Sequence, residues 1–174
     1  FVRFALAAFK AFTIAQNLTH FTGEEGRLRR KAISLAIDRK DIISKVLYGT
    51  VTAATDFTAP VIAGHSTSLS GSDVLSYNAA EARRLWMQAN AISGTFRLAY
   101  SVDSGYKQWV EAILNSISHT LSIKTEPYVF SSQKEYSGAI TDRTIDAPFV
   151  QGLQTYYPPP DGYLLPASYS PSPA

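Results

Sequence analysis

The feature that most constrains the fold is a regular alternation of helical and strand patterns after residue 78. An amphipathic segment, "YNAAEARRLWMQAN", is followed by the alternating run "TFRLAYSV" and by a second amphipathic segment, "GYKQWVEAILNSISHTL". Two further strand patterns, "SIKTEPYVF" and "IDAPFVQGLQ", enclose a short helical one, "SSQKEYSGAI". The order helix, strand, helix, strand, helix, strand is typical of an α/β fold in which helices cover a largely parallel sheet.

Local signals predict where these helices begin and which face they bury. Asn78 precedes its helix and Glu81 follows three positions later, which is a capping-box pattern. The serines of "SSQKEYSGAI" are expected to open a short helix. The helix over "GYKQWVEAILNSISHTL" is expected to bury one face, which carries Trp109, Ile113, Ile117 and Leu121.

Before residue 78 the pattern predicts a strand region, two helices and a long loop. Residues 1–18 suit one or two strands, although their alanines also allow a helix. "TGEEGRLRRKAISLAIDRK" places acidic residues before basic ones, the polarity that a helix dipole favours. Its apolar residues share one helical face: Leu28, Ala32, Ile33, Leu35 and Ala36. Asp38 is expected to cap a second helix that Gly49 ends. Residues 50–76 have no periodicity and predict a long surface loop.

Composition excludes several classes of function. The 174 residues are 45% hydrophobic and 17% charged, which is typical of a globular chain. A formal net charge of +2 gives no support for binding to nucleic acid, which needs clustered basic surface. The absence of cysteine excludes disulfides, thiolate metal sites and cysteine nucleophiles. No apolar run reaches the roughly 20 residues that a membrane span requires.

No catalytic, metal-binding or cofactor-binding motif is assembled in the sequence. His20, His65 and His119 have no carboxylate or second histidine at metal-ligand spacing. Neither a G-x-S-x-G nucleophile elbow nor a phosphate-binding loop is present. The basic run over residues 27–31 precedes an apolar helical face and is interpreted as the solvated side of that helix. We therefore expect a protein that is not an enzyme and that holds no metal or cofactor.

Tyrosines at strand ends and in loops indicate a binding cleft. Five of them depart from helix-core spacing: Tyr100, Tyr106, Tyr156, Tyr157 and Tyr163. Ligands of open α/β sheets bind at the carboxyl ends of the strands, where the loops converge. Tyrosine supplies apolar contact area and a hydroxyl group there. For any single tyrosine, ordinary packing remains the alternative interpretation.

The stretch "LRRKAISLAIDRKDIISKVLYGTVTAATDFTAP" resembles the extracellular solute-binding proteins of family 5. These are the peptide-, dipeptide- and nickel-binding components of bacterial ABC importers. Further blocks resemble the family in the same order: "SYNAAEARRLWMQAN", "FRLAYSVDSGYKQWVEAILNSISHTLSIKTEPYVF" and "TIDAPFVQGLQTYYPPPDGYLLP". Each block alone is weak, so the resemblance depends on their order and spacing over nearly the whole chain.

The resemblance implies one lobe of a type II periplasmic-binding-protein fold, with a mostly parallel sheet flanked by helices. Residues 1–174 are then expected to form a single partial lobe, and residues 167–174 a disordered tail. In this family two lobes close around a solute. The partners implied are a peptide-like or other small solute, the N-terminal lobe of the same protein and the transmembrane permease subunits of an ABC transporter. The expected location is extracytoplasmic, either in the periplasm or as a lipoprotein on the outer face of the cell membrane.

The resemblance also implies where the ligand is bound. Backbone groups of residues 152–154 are expected to pair with an extended ligand as an added strand would. The loop after "FRLAY" is expected to offer amides at a helix N-terminus to a carboxylate or another anionic group. The residues predicted to contribute to the site are Gly152, Leu153, Gln154, Tyr156, Tyr157, Tyr100, Ser101, Asp103 and Tyr106.

Two departures from the family pattern bear on the ligand. Tyr156 stands where peptide-binding members commonly have an aspartate that binds the α-ammonium of the peptide. Asp161 replaces that charge only if its loop folds back, and a buried ammonium without a counter-charge is costly. Leu153 stands where the family usually has tryptophan. Peptide, amino sugar, opine-like compound, nickel complex and small lipid-linked group all stay open as ligands.

A different function is also compatible with the sequence. The segments "YYPPP" and "SYSPSPA" could dock on a partner protein as polyproline II, which would make the chain a non-catalytic interaction domain. The proline cluster is short, however, and has no P-x-x-P flanked by suitable charges. A small hydrolase is the weakest of the three hypotheses, because no hydrolase motif is assembled.

Overall fold

A computed structural model describes residues 8–92 and 94–154, and its elements follow the predicted order. In chain order they are β1 Ala8–Thr13, α1 Gly23–Leu35, α2 Arg39–Lys45, α3 Ala79–Gln88, β2 Thr95–Ser101, α4 Lys107–Leu121, β3 Lys124–Phe130, α5 Gln133–Thr141 and β4 Phe149–Gln154. Short 3-10 helices cover Ser72–Leu75 and Val102–Ser104. Within residues 1–18, the predicted strand is present as β1.

The strands form one sheet in the order β1-β4-β2-β3. β2 runs parallel to β3, with Ser101 opposite Phe130 at their last residues. β4 lies on the other side of β2 and is also parallel to it, with Ala99 opposite Phe149. The carboxyl ends of β2 and β3 therefore meet at one edge of the sheet. The predicted α/β fold with a mostly parallel sheet flanked by helices is confirmed.

The chain divides into two compact units. Among the described residues, the larger unit consists of residues 12–53, 74–92 and 94–150, and the smaller of residues 8–11, 54–73 and 151–154. The segment predicted as a long loop has no α-helix or strand. Within the smaller unit, however, Ala59 and Ile62 are buried and pack against Phe9. The predicted tail over residues 167–174 lies outside the described residues, and the single lobe over 1–174 stays a prediction.

The larger unit buries its main core between the sheet and helices α1, α3 and α4. Phe96, Leu98 and Tyr100 point from one face of β2 into this core, at the two-residue spacing of a strand. Ala99 points to the opposite face, where it packs with Phe130 and residues of α5. Because both faces of β2 are covered, Leu98, Ala99 and Tyr100 form a continuous buried apolar run, as is typical of parallel sheets.

Helix α1 buries the face that its sequence predicts. All five residues of that face are buried: Leu28, Ala32, Ile33, Leu35 and Ala36. The interpretation of the basic run as solvated is wrong for Arg29, which is only 4% exposed. Its guanidinium donates hydrogen bonds to the His20 carbonyl at 2.7 Å, the Asn90 carbonyl at 3.0 Å and the Glu25 carboxylate at 2.8 Å. The charge is tolerated inside because these oxygen atoms replace water.

The next residues end α1 and start α2. The Asp38 carboxylate accepts a hydrogen bond from the Asp41 amide at 3.0 Å, so the predicted cap is present. Arg39 donates to the Ser34 carbonyl at the end of α1 and to the Leu75 carbonyl. Burial lowers the pKa of Arg39. Helix α2 ends at Lys45, four residues before the predicted stop at Gly49.

Helices α3 and α5 also begin at their predicted caps. The Asn78 side chain accepts a hydrogen bond from the Glu81 amide at 3.1 Å. The Ser132 hydroxyl accepts one from the Glu135 amide at 3.2 Å. The return bond of a full capping box is absent, because the Asn78 amide donates to the Leu35 carbonyl instead. This bond ties the start of α3 to the end of α1.

Helix α4 packs on the sheet with a face rotated slightly from the predicted one. Its buried residues are Val110, Ile113, Leu114, Ile117, Thr120 and Leu121. Trp109 was expected in this face but is half-buried, and its ring meets that of Tyr106 edge-on with 6.0 Å between centroids. Trp109 therefore lies at the border of the core near the start of the helix.

Candidate functional site

The candidate site lies at the edge of the sheet where β2 and β3 end. After Ser101 the chain forms the 3-10 turn over Val102–Ser104 and passes through Gly105 into α4. Gly105 has a φ of 70°, a left-handed conformation that costs glycine little. After Phe130 the chain enters α5 through Ser132. Connections of this kind, after neighbouring parallel strands, carry the ligand contacts in open α/β sheets.

The turn after β2 is held by its own side chains. The Ser101 hydroxyl accepts a hydrogen bond from the Asp103 amide at 3.3 Å. The Ser104 hydroxyl donates to the Ser101 carbonyl at 2.6 Å and accepts from the Tyr106 amide at 3.2 Å. Because these bonds satisfy the polar groups of the turn internally, the turn has its shape without a ligand.

Asp103 connects this turn to the next helix. Its carboxylate accepts a hydrogen bond from the Gln133 amide, the first residue of α5, at 3.1 Å. A carboxylate at a helix N-terminus is favourable, because the first amides have no partner inside the helix and the helix dipole is positive there. The connections after β2 and β3 are thereby fixed to each other, although Asp103 itself is exposed.

The N-terminus of α4 differs from that of its neighbours. Side chains cap α2, α3 and α5, whereas the N-cap residues of α1 and α4, Thr22 and Tyr106, make no side-chain capping hydrogen bond. Lys107 and Gln108, the first residues of α4, are exposed. Backbone donors at such an end are suited to an anionic group.

Two of the predicted site residues are enclosed by the protein. The side chain of Tyr100 is part of the main core and only 4% exposed, and Ser101 is fully buried. Burial raises the pKa of Tyr100, and the charge of Glu111 adds to the shift. Neither side chain is accessible to a solute in this structure, and a contact from either to a ligand stays a prediction. Tyr106 is half-buried at the entrance to α4.

The remaining predicted contacts lie at and after the end of β4. Residues 152–154 are the last three residues of this strand, and Gly152 is exposed. Tyr156 and Tyr157 lie outside the described residues. Contacts from this stretch to a ligand stay predictions.

Tyr136 of α5 is a structural support of this edge that the sequence did not reveal. Its hydroxyl lies 2.5 Å from the Val150 carbonyl and 3.4 Å from the Ala99 carbonyl. Burial raises the pKa of Tyr136, and nearby Tyr106 acts in the same direction. The neutral hydroxyl therefore fixes α5 to β2 and β4. A tyrosine in a short polar helix gives no sequence signal for such contacts.

Metal-ligand clusters and membrane-spanning helices are absent from residues 8–92 and 94–154. No three histidine, aspartate or glutamate side chains come together there in a way that could hold a metal ion. The helices of this part of the chain are too short or too polar for any of them to span a membrane.

The sequence model of bacterial extracellular solute-binding proteins, family 5 Middle, matches residues 27–173. No curated protein is significantly similar to the chain in sequence. Many solved structures share the fold.

Three of these structures represent the group. A periplasmic oligopeptide-binding protein from Borrelia burgdorferi is 17% identical, with a TM-score of 0.75 over 92% of this chain and 31% of its own. The murein tripeptide-binding protein of Escherichia coli is 19% identical, with a TM-score of 0.74 over 92% and 31%. An ABC transporter-associated periplasmic binding protein from Helicobacter pylori, in complex with a peptide, is 20% identical, with a TM-score of 0.73 over 92% and 29%. The chain spans about a third of the length of these proteins.

Proposed function

Because the chain belongs to the bacterial extracellular solute-binding protein family 5, we propose that it is the ligand-binding lobe of an ABC-importer receptor. The receptor captures a peptide-like or other small solute for import and carries out no catalysis. The observation that carries this proposal is the family match over residues 27–173. A second lobe closes over the solute, as two-lobed binding proteins do by hinge motion.

The turn after β2 is proposed to bind an anionic group of the solute, such as a carboxylate. The uncapped amides at the start of α4 are the donors. The turn is preformed by Ser101 and Ser104, so little ordering is needed on binding. The negative charge of Asp103 is compensated by the N-terminus of α5, which limits its repulsion of a bound anion.

The end of β4 is proposed to bind the backbone of an extended solute. Gly152 is exposed and has no side chain, so another backbone can approach it closely. Pairing of a peptide with the backbone of a strand gives affinity that depends little on the side chains of the peptide. This arrangement fits a receptor that accepts several related solutes.

Tyr156 supports a proposal for the chemical class of the solute. Three similar structures are described as binding oligopeptide, murein tripeptide or peptide. This chain has a tyrosine where peptide-binding members of the family commonly have the acid that neutralises the α-ammonium. We therefore propose a peptide-like solute whose amino end is blocked or absent, because an enclosed ammonium without a counter-charge is costly.

The partners and location proposed for the protein follow from the same function. The loaded receptor delivers its solute to the transmembrane permease subunits of an ABC transporter. It does so outside the cytoplasm, in the periplasm or anchored by lipid to the outer face of the membrane.

An uptake assay tests the proposed function in cells. Deletion of the gene is expected to abolish uptake of isotope-labelled, N-acetylated short peptides, and the intact gene on a plasmid is expected to restore it. A Gly152→Glu variant differs from the wild type only by the side chain that it adds at the exposed position in β4. On the same plasmid, this variant is expected to restore uptake poorly. Unchanged uptake of N-acetylated and free peptides in the deletion strain would contradict the proposal.

A further inference from the structure

A groove of about 620 Å³ in the larger unit lies between α2 and α4. Its α4 side extends from Gln108 to Thr120, which is roughly 18 Å at the 1.5 Å rise per residue of a helix. Ile42 and Ala112 contribute apolar surface between the helices. We call this feature the α2–α4 groove. Apart from Gln108, its α4 residues lie beyond the first turn of the helix, whose amides are proposed to bind the solute.

The α2–α4 groove is acidic although the chain as a whole carries a net charge of +2. Its charged lining comprises Asp38, Asp41 and Glu111 against Lys45, an excess of two negative charges. Lys45 is already paired with the Asp41 carboxylate at 2.7 Å, and Asp38 caps α2. Glu111 is exposed on the opposite wall and is the carboxylate most available to a cation from outside.

Two tyrosines flank these carboxylates. Tyr48 is 81% exposed, and its backbone is left-handed with a φ of 51°. Tyr77 is 43% exposed, and its hydroxyl lies 3.3 Å from that of Thr120. Exposed aromatic rings beside carboxylates favour lysine and arginine side chains, because the ring attracts the cation and the methylene stem packs on its face.

We propose that the α2–α4 groove docks a basic, partly apolar segment of a partner protein. The charge of the groove selects for lysine or arginine, and its apolar floor and tyrosines select for aliphatic side chains between them. A protein segment suits the groove better than a small molecule does, because the groove is long and open and encloses little of a small ligand. This docking is independent of the solute site at the end of the sheet.

A binding assay on the full-length protein tests this docking. The probe is a fluorescently labelled hexapeptide of alternating leucine and lysine with blocked ends, and its binding is followed by fluorescence anisotropy. Glu111→Gln is expected to weaken binding about two- to fivefold, as for loss of one exposed ionic partner. Glu111→Lys is expected to weaken it about tenfold or more, since a like charge then faces the probe. Tyr48→Asn removes the aromatic ring and introduces asparagine, which tolerates the left-handed backbone at this position. It is expected to weaken binding about threefold.

Matched controls separate this docking from other causes. Glu126→Gln removes another exposed carboxylate, from β3, and is expected to leave binding unchanged. The corresponding leucine-glutamate peptide is expected not to bind, and added salt is expected to weaken binding of the lysine peptide. Because Glu111 and Tyr48 are exposed, the variants are expected to keep the thermal unfolding midpoint of the wild type.

Two results would overturn the proposal. One is an unchanged affinity of the Glu111→Lys variant for the lysine peptide. This result would mean that the peptide binds outside the α2–α4 groove, for example in the solute cleft. The other is equal binding of the leucine-glutamate peptide. Neither result bears on solute uptake, so failure of this docking and failure of the proposed receptor function are distinguishable.

Discussion

Replacing Arg29 by methionine is expected to destabilise the fold by about 3–5 kcal/mol, the range for removing one partner from a buried charged network. Methionine keeps most of the length of the side chain, so the change removes charge and hydrogen bonds with little loss of packing volume. The guanidinium bonds lost include those to the carbonyls of His20, Ala89 and Asn90 and to the Glu25 carboxylate.

The magnitude is the balance of opposing contributions. Each hydrogen bond to a charged group contributes about 1.5–3 kcal/mol, and the carbonyls of Ala89 and Asn90 after α3 would be left without this donor. Methionine also removes the cost of burying the guanidinium, whose Nε atom has no partner among the described residues. The net loss is therefore smaller than the sum of the individual bonds.

Urea unfolding followed by tryptophan fluorescence measures this loss, because Trp86 is buried in α3 beside the affected segment. Arg27→Met is the matched control on the same helix. Arg27 pairs with Glu24, but both side chains are largely exposed, so the unfolding midpoint is expected to change little. Equal midpoints for the Arg29 and Arg27 variants would refute the reasoning, because burial of the charge would then have no measurable effect.

Three further predictions concern other parts of the protein. Tyr136→Phe removes the hydroxyl that binds the Val150 carbonyl and is expected to lower the free energy of unfolding by about 1–2 kcal/mol in the same urea assay. Tyr156→Asp is expected to increase the affinity for peptides with a free amino end about tenfold relative to N-acetylated ones, measured by calorimetry; an unchanged ratio would show that residue 156 does not contact the amino end. The Asn90 amide, followed by Arg29, lowers the pKa of Glu25, and Arg84 lowers that of Glu81. The folded state therefore binds fewer protons than the unfolded state, so this contribution to stability is complete above about pH 4.5 and is lost below it, which urea titrations at several pH values will detect.

The helices were largely predictable because their signals are local. Asp38, Asn78 and Ser132 each cap the helix that their sequence predicts, since the capping bond reaches only three residues along the chain. The end of α2 was not predictable in this way. The helix ends at Lys45, whereas the glycine that normally marks such an end, Gly49, comes four residues later. Helix ends depend on packing as well as on local sequence.

The contacts that bring distant segments together were not predictable. In the sequence, Arg29 is one cation of a basic run. Its burial depends on the contact with Asn90, which is distant along the chain. Asp103 meets the Gln133 amide because β2 and β3 are parallel and end in register, which a single sequence does not specify. The α/β alternation predicts a site at the sheet edge, and this stays a prediction. The burial of Tyr100 in the main core is evident only from the structure.

Native mass spectrometry of the full-length protein tests the central claim most directly. The protein is purified under mild conditions, its mass is compared before and after unfolding, and any released compound is identified. The account predicts one small peptide-like solute per protein molecule, chemically unchanged on release and able to rebind. A protein that carries no solute and binds none from a peptide-rich extract would contradict the claim, and so would a bound compound that leaves chemically altered.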